Sequence, residues 1–231
     1  MTFFESVVHQ INDGKELLAV LVDPEKFAVD QAASFLRTLP VEATHIFVGG
    51  STVPEGKTEE VIEALKGCTS KPIFIFPGSH DQIAGNADAL LFLSLLSGRD
   101  PEYLVGQQIK AVPKLRHSTL EVIPTGYILL NGGNESAVQR ITGTSPLSQE
   151  SIQEIVDTAK AGELMGAKFI YLEAGSGAKI PVSEAIIKAV KTDLAIPLIV
   201  GGGIRTKTQK DNAYKAGADM IVMGTVFENE I

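Results

Sequence analysis

A carboxylate, Glu173, closes the apolar run FIYLEA and is followed at once by the small, flexible Gly175-Ser176-Gly177. Glu is among the side chains least often buried, so an acid inside such a run demands a task. A second acid, Asp23, ends the run LLAVLVD, and Pro24 behind it turns the chain out of a strand. With Ser51, which follows the run HIFVGG, Asp23 could offer oxygen to Mg²⁺. That ion takes one or two protein oxygens and leaves its other positions to water and substrate phosphates. Asp23 also suits the N-cap of a following helix, and Ser51 taken alone would be a turn residue. Two glycine-rich tails, VGGGIR (200–205) and VMGT (222–225), could converge the N–H groups of Gly202, Gly203, Gly224 and Thr225 on phosphate oxygens. The plainer reading is that these glycines only make tight strand-to-helix turns.

Other arrangements fall away. GSGAK (175–179) lacks the spacing of a P-loop, and Ile180 stands where a dinucleotide fingerprint needs another glycine. His80 sits at a strand exit within reach of a phosphate, whereas His9, His45 and His117 have no partner pattern for a metal. The single Cys68 lies at a helix end and reads as structural; it excludes an internal disulfide and suits a reducing cytoplasm.

The elements that must hold these groups are legible as a repeat. Apolar, β-rich runs occur at 17–23, 45–50, 72–78, 89–96, 121–130, 168–175, 197–203 and 220–225, without polar alternation. Such runs belong to a parallel sheet covered on both faces. Segments of helical spacing lie between them, clearest at 58–67, 148–166, 183–191 and 206–217. Gly67 and Gly217 are placed for left-handed caps. Eight strands alternating with helices predict a (β/α)8 TIM barrel, one domain over residues 1–231, with a doubly wound open sheet as the alternative. The chain ends at Ile231, soon after the eighth strand, so the eighth helix should be short or missing. The polar stretch 131–148 reads as a surface excursion or a lid.

In such barrels chemistry sits where the strands end, and phosphate sits after strands seven and eight. Asp23, Ser51, Glu173 and the glycine tails all fall at strand exits. Tyr127 lies within the fifth strand, as a core or a mouth residue. Leu93, Leu95 and Leu96 could line an apolar trough or simply fill the core.

The bulk properties bound the partners. Of 231 residues 44% are hydrophobic, enough for a substantial core, and the net charge is −8. A nucleic-acid binder would want a basic face. No apolar run approaches the roughly 20 residues of a membrane span, and residues 1–10 lack the pattern of a signal peptide.

LLAVLVDPEK, HIFVGGST, FPGSHDQI, FLSLLSGRDPEYLVGQQ, IPTGYILLNGG, YLEAGSGA, PLIVGGGIR and GADMIVMGT together span nearly the whole chain. The sequence resembles the geranylgeranylglyceryl phosphate synthases, barrel prenyltransferases that begin ether-lipid synthesis. DPEK and SLLSGRDP resemble the subgroup of many archaea and some bacteria. The resemblance implies that Tyr171, Leu172, Glu173, Ala174, Gly175, Ser176 and Gly177, with Gly202, Gly203, Gly224 and Thr225, hold sn-glycerol 1-phosphate. It implies Mg²⁺ at Asp23 and Ser51, with Glu173 meeting the glycerol hydroxyls; a carboxylate there is placed to act as catalytic base, taking the proton of the C3 hydroxyl. A polyprenyl diphosphate such as geranylgeranyl diphosphate would be the other substrate. It further implies a homo-oligomer (dimer or hexamer), and a product in transient contact with membrane lipid. An aldolase would want a lysine inside a strand and an isomerase a second acid/base, neither of which is visible. A barrel that only binds phosphate would have no use for Asp23, Ser51 and Glu173 together.

Overall fold

The computed structural model describes residues 1–224. Eight parallel strands pair in sequential order: β1 (Leu17–Val22), β2 (Ala43–Val48), β3 (Ile73–Ile75), β4 (Ala89–Leu95), β5 (Glu121–Leu129), β6 (Phe169–Glu173), β7 (Leu198–Gly201) and β8 (Met220–Met223). β8 closes on β1, with Leu17 opposite Met220. The helices are α1 (Phe3–Asn12), α2 (Ala32–Thr38), α3 (Lys57–Lys66), α4 (Gln107–Leu115), α5 (Ala137–Thr142), α6 (Ile152–Leu164), α7 (Glu184–Asp193) and α8 (Lys207–Ala216). Thr225 and any eighth post-strand helix lie outside the described residues.

All eight apolar runs are strands, and the four expected helical segments are helices. Two expectations change. Gly217 ends α8 at φ +114°, but Gly67 ends α3 at φ −63°, in the right-handed region, so no left-handed cap forms there. The alternation of strand and helix also fails once: β3 and β4 are joined by a single 3₁₀ turn, His80–Gln82. Pro77, Gly78, Gly85 and Asn86 punctuate that connection too closely for an apolar stripe to develop.

Elsewhere the stripe decides. α3 buries Thr58, Val61, Ile62 and Leu65, the i, i+3, i+4, i+7 face that packs on the sheet. Each fully buried Leu or Ile there contributes roughly 1.5–3 kcal/mol. Along the strands the period of two sends Leu172, Val200 and Ile221 outward to the helices, and Phe47, Phe74 and Phe169 inward to the barrel axis.

α1 plugs the end of the barrel opposite the strand exits. Phe3 meets Phe74 edge-on at 6.1 Å and Phe4 meets Phe169 at 5.4 Å. The Glu121 carboxylate accepts the N–H groups of Phe3 (2.5 Å) and Phe4 (3.0 Å), first-turn donors that no helix can satisfy internally. His45 is buried near this plug with its edge on Phe74, and burial, then Lys71, lowers its pKa to about 4. It is a neutral core histidine. No helix among the described residues is long and apolar enough to cross a membrane.

Candidate active site

The strand period answers why an acid ends an apolar run. On β6, Phe169, Tyr171 and Glu173 point along the barrel axis, while Leu172 and then Ala174 pack into the outer core. Glu173 is therefore the uppermost inward residue of its strand, 7% exposed. Its Oε1 accepts the Gly175 N–H at 2.7 Å. Burial raises its carboxyl from 4.5 to about 7, and the neighbouring Tyr171 hydroxyl and Gly175 N–H hold it from rising further. The Tyr171 hydroxyl is buried beside the carboxylate but falls outside hydrogen-bond geometry.

The glycines around Glu173 are there for space as well as for turns. A Cβ at Gly202 would collide with Glu173 Oε1 and lie 2.7 Å from the Gly175 nitrogen; one at Gly201 would collide with the Tyr171 hydroxyl. Gly202 is also at φ +83°, where other residues are strained. Among the described residues the N–H groups of Ser176, Gly177, Gly202 and Gly203 donate no hydrogen bond. The start of α8 behind them is already satisfied: Thr206 and Gln209 form a capping box, and Gln209 also takes the Arg205 N–H. An anion here would meet loop amides rather than a helix end.

Across the barrel, Asp23 caps no helix, because residues 24–26 form a turn and the next helical turn starts at Val29 behind Ala28. Its Oδ1 accepts the Glu25 N–H at 3.1 Å, capping the turn after β1, and Lys26 pairs with Oδ2 at 3.6 Å. The carboxylate still faces the mouth. A Cβ at Gly50 would lie 2.6 Å from Asp23 Oδ1, so glycine there lets the β2 exit close on the acid. Gln82, buried at 3%, fixes that exit. Its Nε2 donates to the Gly50 carbonyl (2.7 Å) and its Oε1 accepts the Gly78 N–H (3.1 Å). No sequence pattern marked Gln82, because its role lies in joining two loops that are remote in the chain.

One cavity of about 500 Å³ is lined by Asp23, Ser51, Tyr171, Glu173, Ser176, Gly177, Gly202, Gly203 and Gly224. Of the other candidates, Leu172 and Ala174 are buried outside it, and Gly175 acts through its N–H on Glu173. The donors near Asp23 are oxygens. Among the described residues no three His, Cys, Asp or Glu side chains cluster as a metal cage. One carboxylate and a hydroxyl facing an open cavity is the donor set that suits Mg²⁺, which keeps most of its shell for water and substrate.

A single comparison settles the kinship: the profile of the PcrB family matches residues 9–231. This chain belongs to the PcrB family. The geranylgeranylglyceryl phosphate synthase of Zunongwangia profunda is 55% identical over 225 residues, covering 97% of this chain and 96% of the relative. That of Pyrococcus furiosus is 39% identical over 227 residues, covering 97% and 90%. Among solved structures, (S)-3-O-geranylgeranylglyceryl phosphate synthase from Thermoplasma acidophilum, in complex with its substrate sn-glycerol-1-phosphate, is 34% identical. It superimposes with a TM-score of 0.90 over 99% of this chain and 92% of that one.

This PcrB barrel walls its cavity with helices and turns as well as strand exits. The stretch 131–148 contains α5, capped by Ser136 and ended by Gly143 at φ +63°, and Val138, Arg140 and Ile141 line the cavity. From the other side come Tyr103, Gln107 and Gln108; the Tyr103 hydroxyl donates to the Ile141 carbonyl at 3.2 Å, tying the two walls. Leu93 and Leu95 line the cavity, whereas Leu96 does not: it fills the space left by Gly126 and Gly162. Because no α-helix joins β3 to β4, the outward-facing Leu90 and Phe92 reach the same cavity with Ile83. His80 also lines it, its Nδ1 3.0 Å from Gln107 Oε1 and its Nε2 3.2 Å from Asp81.

Proposed function

We propose that this chain transfers the prenyl group of a polyprenyl diphosphate, geranylgeranyl diphosphate first among candidates, to the C3 hydroxyl of sn-glycerol 1-phosphate. The products are a prenylglyceryl ether phosphate and diphosphate, the first ether bond of ether-lipid synthesis. One observation carries the reading. The amides of the β6 and β7 exits, which donate no hydrogen bond among the described residues, the Glu173 carboxylate and the Asp23–Ser51 pair face a single cavity that is otherwise apolar on its β4 side. The T. acidophilum relative, with sn-glycerol-1-phosphate bound, supports it.

Each part then has work. The Ser176, Gly177, Gly202 and Gly203 amides bind the phosphate of glycerol phosphate, with Gly224 from the last exit. Glu173 orients the C3 hydroxyl and takes its proton as the ether bond forms; a pKa near 7 matches a base that works near neutrality. Asp23 and Ser51 would hold Mg²⁺, which when bound supplies Lewis-acid neutralisation of the departing diphosphate. Leu90, Phe92, Leu93 and Leu95 take the prenyl chain on the side where no α-helix joins β3 to β4. Holding both substrates removes much of the entropic barrier. An aldolase reading fails on the strands themselves, none of which contains a lysine. Oligomerisation belongs to the same proposal: α4 and its preceding turn expose Val105, Ile109 and Val112, and light scattering in solution tests for self-association.

The deciding experiment incubates the protein with sn-glycerol 1-phosphate, Mg²⁺ and prenyl diphosphates of graded length, and follows diphosphate release and the ether product. An ether forms with one chain length preferred, and chelation of the metal stops it. Absence of product at every chain length would end the proposal.

A further inference from the structure

The closed strand order places the β2 exit, with Ser51, diametrically across the barrel from the β6 exit, with Glu173. A leaving group held on one side and a nucleophile on the other put the reacting carbon over the barrel axis. One strand period below the inward Leu129 and Glu173, three aromatic rings meet on that axis. Phe76, just past β3, lies 5.1 Å from Tyr171 with the rings stacked at 29°, and 5.9 Å from Tyr127. Tyr127 and Tyr171 meet edge-on at 5.4 Å. All three line the cavity, and Phe76 is the member whose ring is only partly buried.

We infer that Phe76, Tyr127 and Tyr171 form an aromatic floor that stabilises the allylic cation, with Phe76 a catalytic residue whose ring face meets the charge. The inference rests on the transferase reading above. The C1–O bond of the prenyl diphosphate breaks with its electron pair leaving on diphosphate. The positive charge spreads over the allyl unit, a glycerol C3 oxygen lone pair forms the new C1–O bond, and the hydroxyl proton passes to Glu173. Between these events the cation needs electron density that cannot bond to it. An aromatic face supplies that through its quadrupole, most strongly in a desolvated site. Phe76 has no nucleophilic atom. Burial, and then the nearby Glu173 charge, push the Tyr127 and Tyr171 hydroxyls well above 10, so they remain neutral phenols and are not alkylated. The floor is held in place: the Phe76 N–H donates to the Val48 carbonyl at 2.9 Å, and a side chain at Gly49 would collide with the Phe76 carbonyl.

The test replaces Phe76 with phenylalanines carrying one, two and three ring fluorines, which keep shape and apolarity while draining the ring face. It runs beside Phe76→Leu in the full-length protein. Turnover falls stepwise with fluorination and by roughly 30-fold in Phe76→Leu, the rate equivalent of a desolvated cation–π contact. KM for glycerol phosphate is unchanged throughout. A flat fluorine series in an enzyme that makes the ether overturns the floor alone. A wild-type protein that makes no ether overturns both the floor and the transferase reading.

Discussion

Glu173→Gln separates the base from the turn that carries it. Glutamine keeps an oxygen to accept the Gly175 N–H, so the β6 exit survives while the proton acceptor is lost. Turnover should fall by about 10²–10⁴, the usual range for a general base. The same change should stabilise the fold, with a pH window set by the carboxyl. Its folded pKa is about 7 against 4.5, so the folded state holds the proton more tightly than the unfolded chain. Below 4.5 the group is neutral in both states and costs nothing. As pH rises from 4.5 through 7 the folded protein must bury a charge that the unfolded chain leaves in water. At 1.36 kcal/mol per pH unit, the full difference is about 3 kcal/mol of stability lost by the wild type and spared in the variant. Melting curves across that range should show the two proteins alike at the acid end and the variant more stable at the alkaline end. Wild-type turnover should drop about tenfold per pH unit below 7 as the base becomes protonated. A variant with near-normal turnover, or a stability gap that ignores pH, would refute the reasoning.

Gly202→Ala places a methyl against Glu173 Oε1 at a left-handed position, so it should lower Tm by the equivalent of about 1–2 kcal/mol of strain and raise KM for glycerol phosphate. Thermal melts and steady-state kinetics read the two effects separately. Asp23→Asn keeps the turn acceptor and removes the charge; metal affinity, read by calorimetry without substrate, should fall by more than the about 10–100-fold typical of losing an outer-shell partner. Glu121→Ala strips two first-turn amides of α1 of their acceptor and should cost about 1–3 kcal/mol in denaturant unfolding, with turnover unchanged because the plug is at the far end of the barrel.

The periodic, one-dimensional features were written plainly in the chain. Eight apolar runs marked eight strands, because a strand buried on both faces must be apolar at nearly every position. The positions of Asp23, Ser51, Glu173 and the glycine tails relative to those runs put them at the strand exits, and exits of one closed parallel sheet share an end. What the sequence could not separate were neighbours within a motif. Tyr171 to Gly177 reads as one block, yet the pleat turns Leu172 and Ala174 toward the helices and leaves Tyr171 and Glu173 on the axis. α5, six residues long, is too short for a periodic pattern, and in α4 the interior Pro113 reads as a break although the helix is amphipathic. The 3₁₀ turn between β3 and β4 stands where alternation had expected a helix.

The linear sequence determined the barrel and the end of it that does chemistry, because burial and strand period are local rules. Tertiary structure alone decided the raised acidity of Glu173, the Gln82 link between two exits and the aromatic layer beneath the mouth. Each of these depends on the distance between residues from different strands, which only closure of the sheet sets.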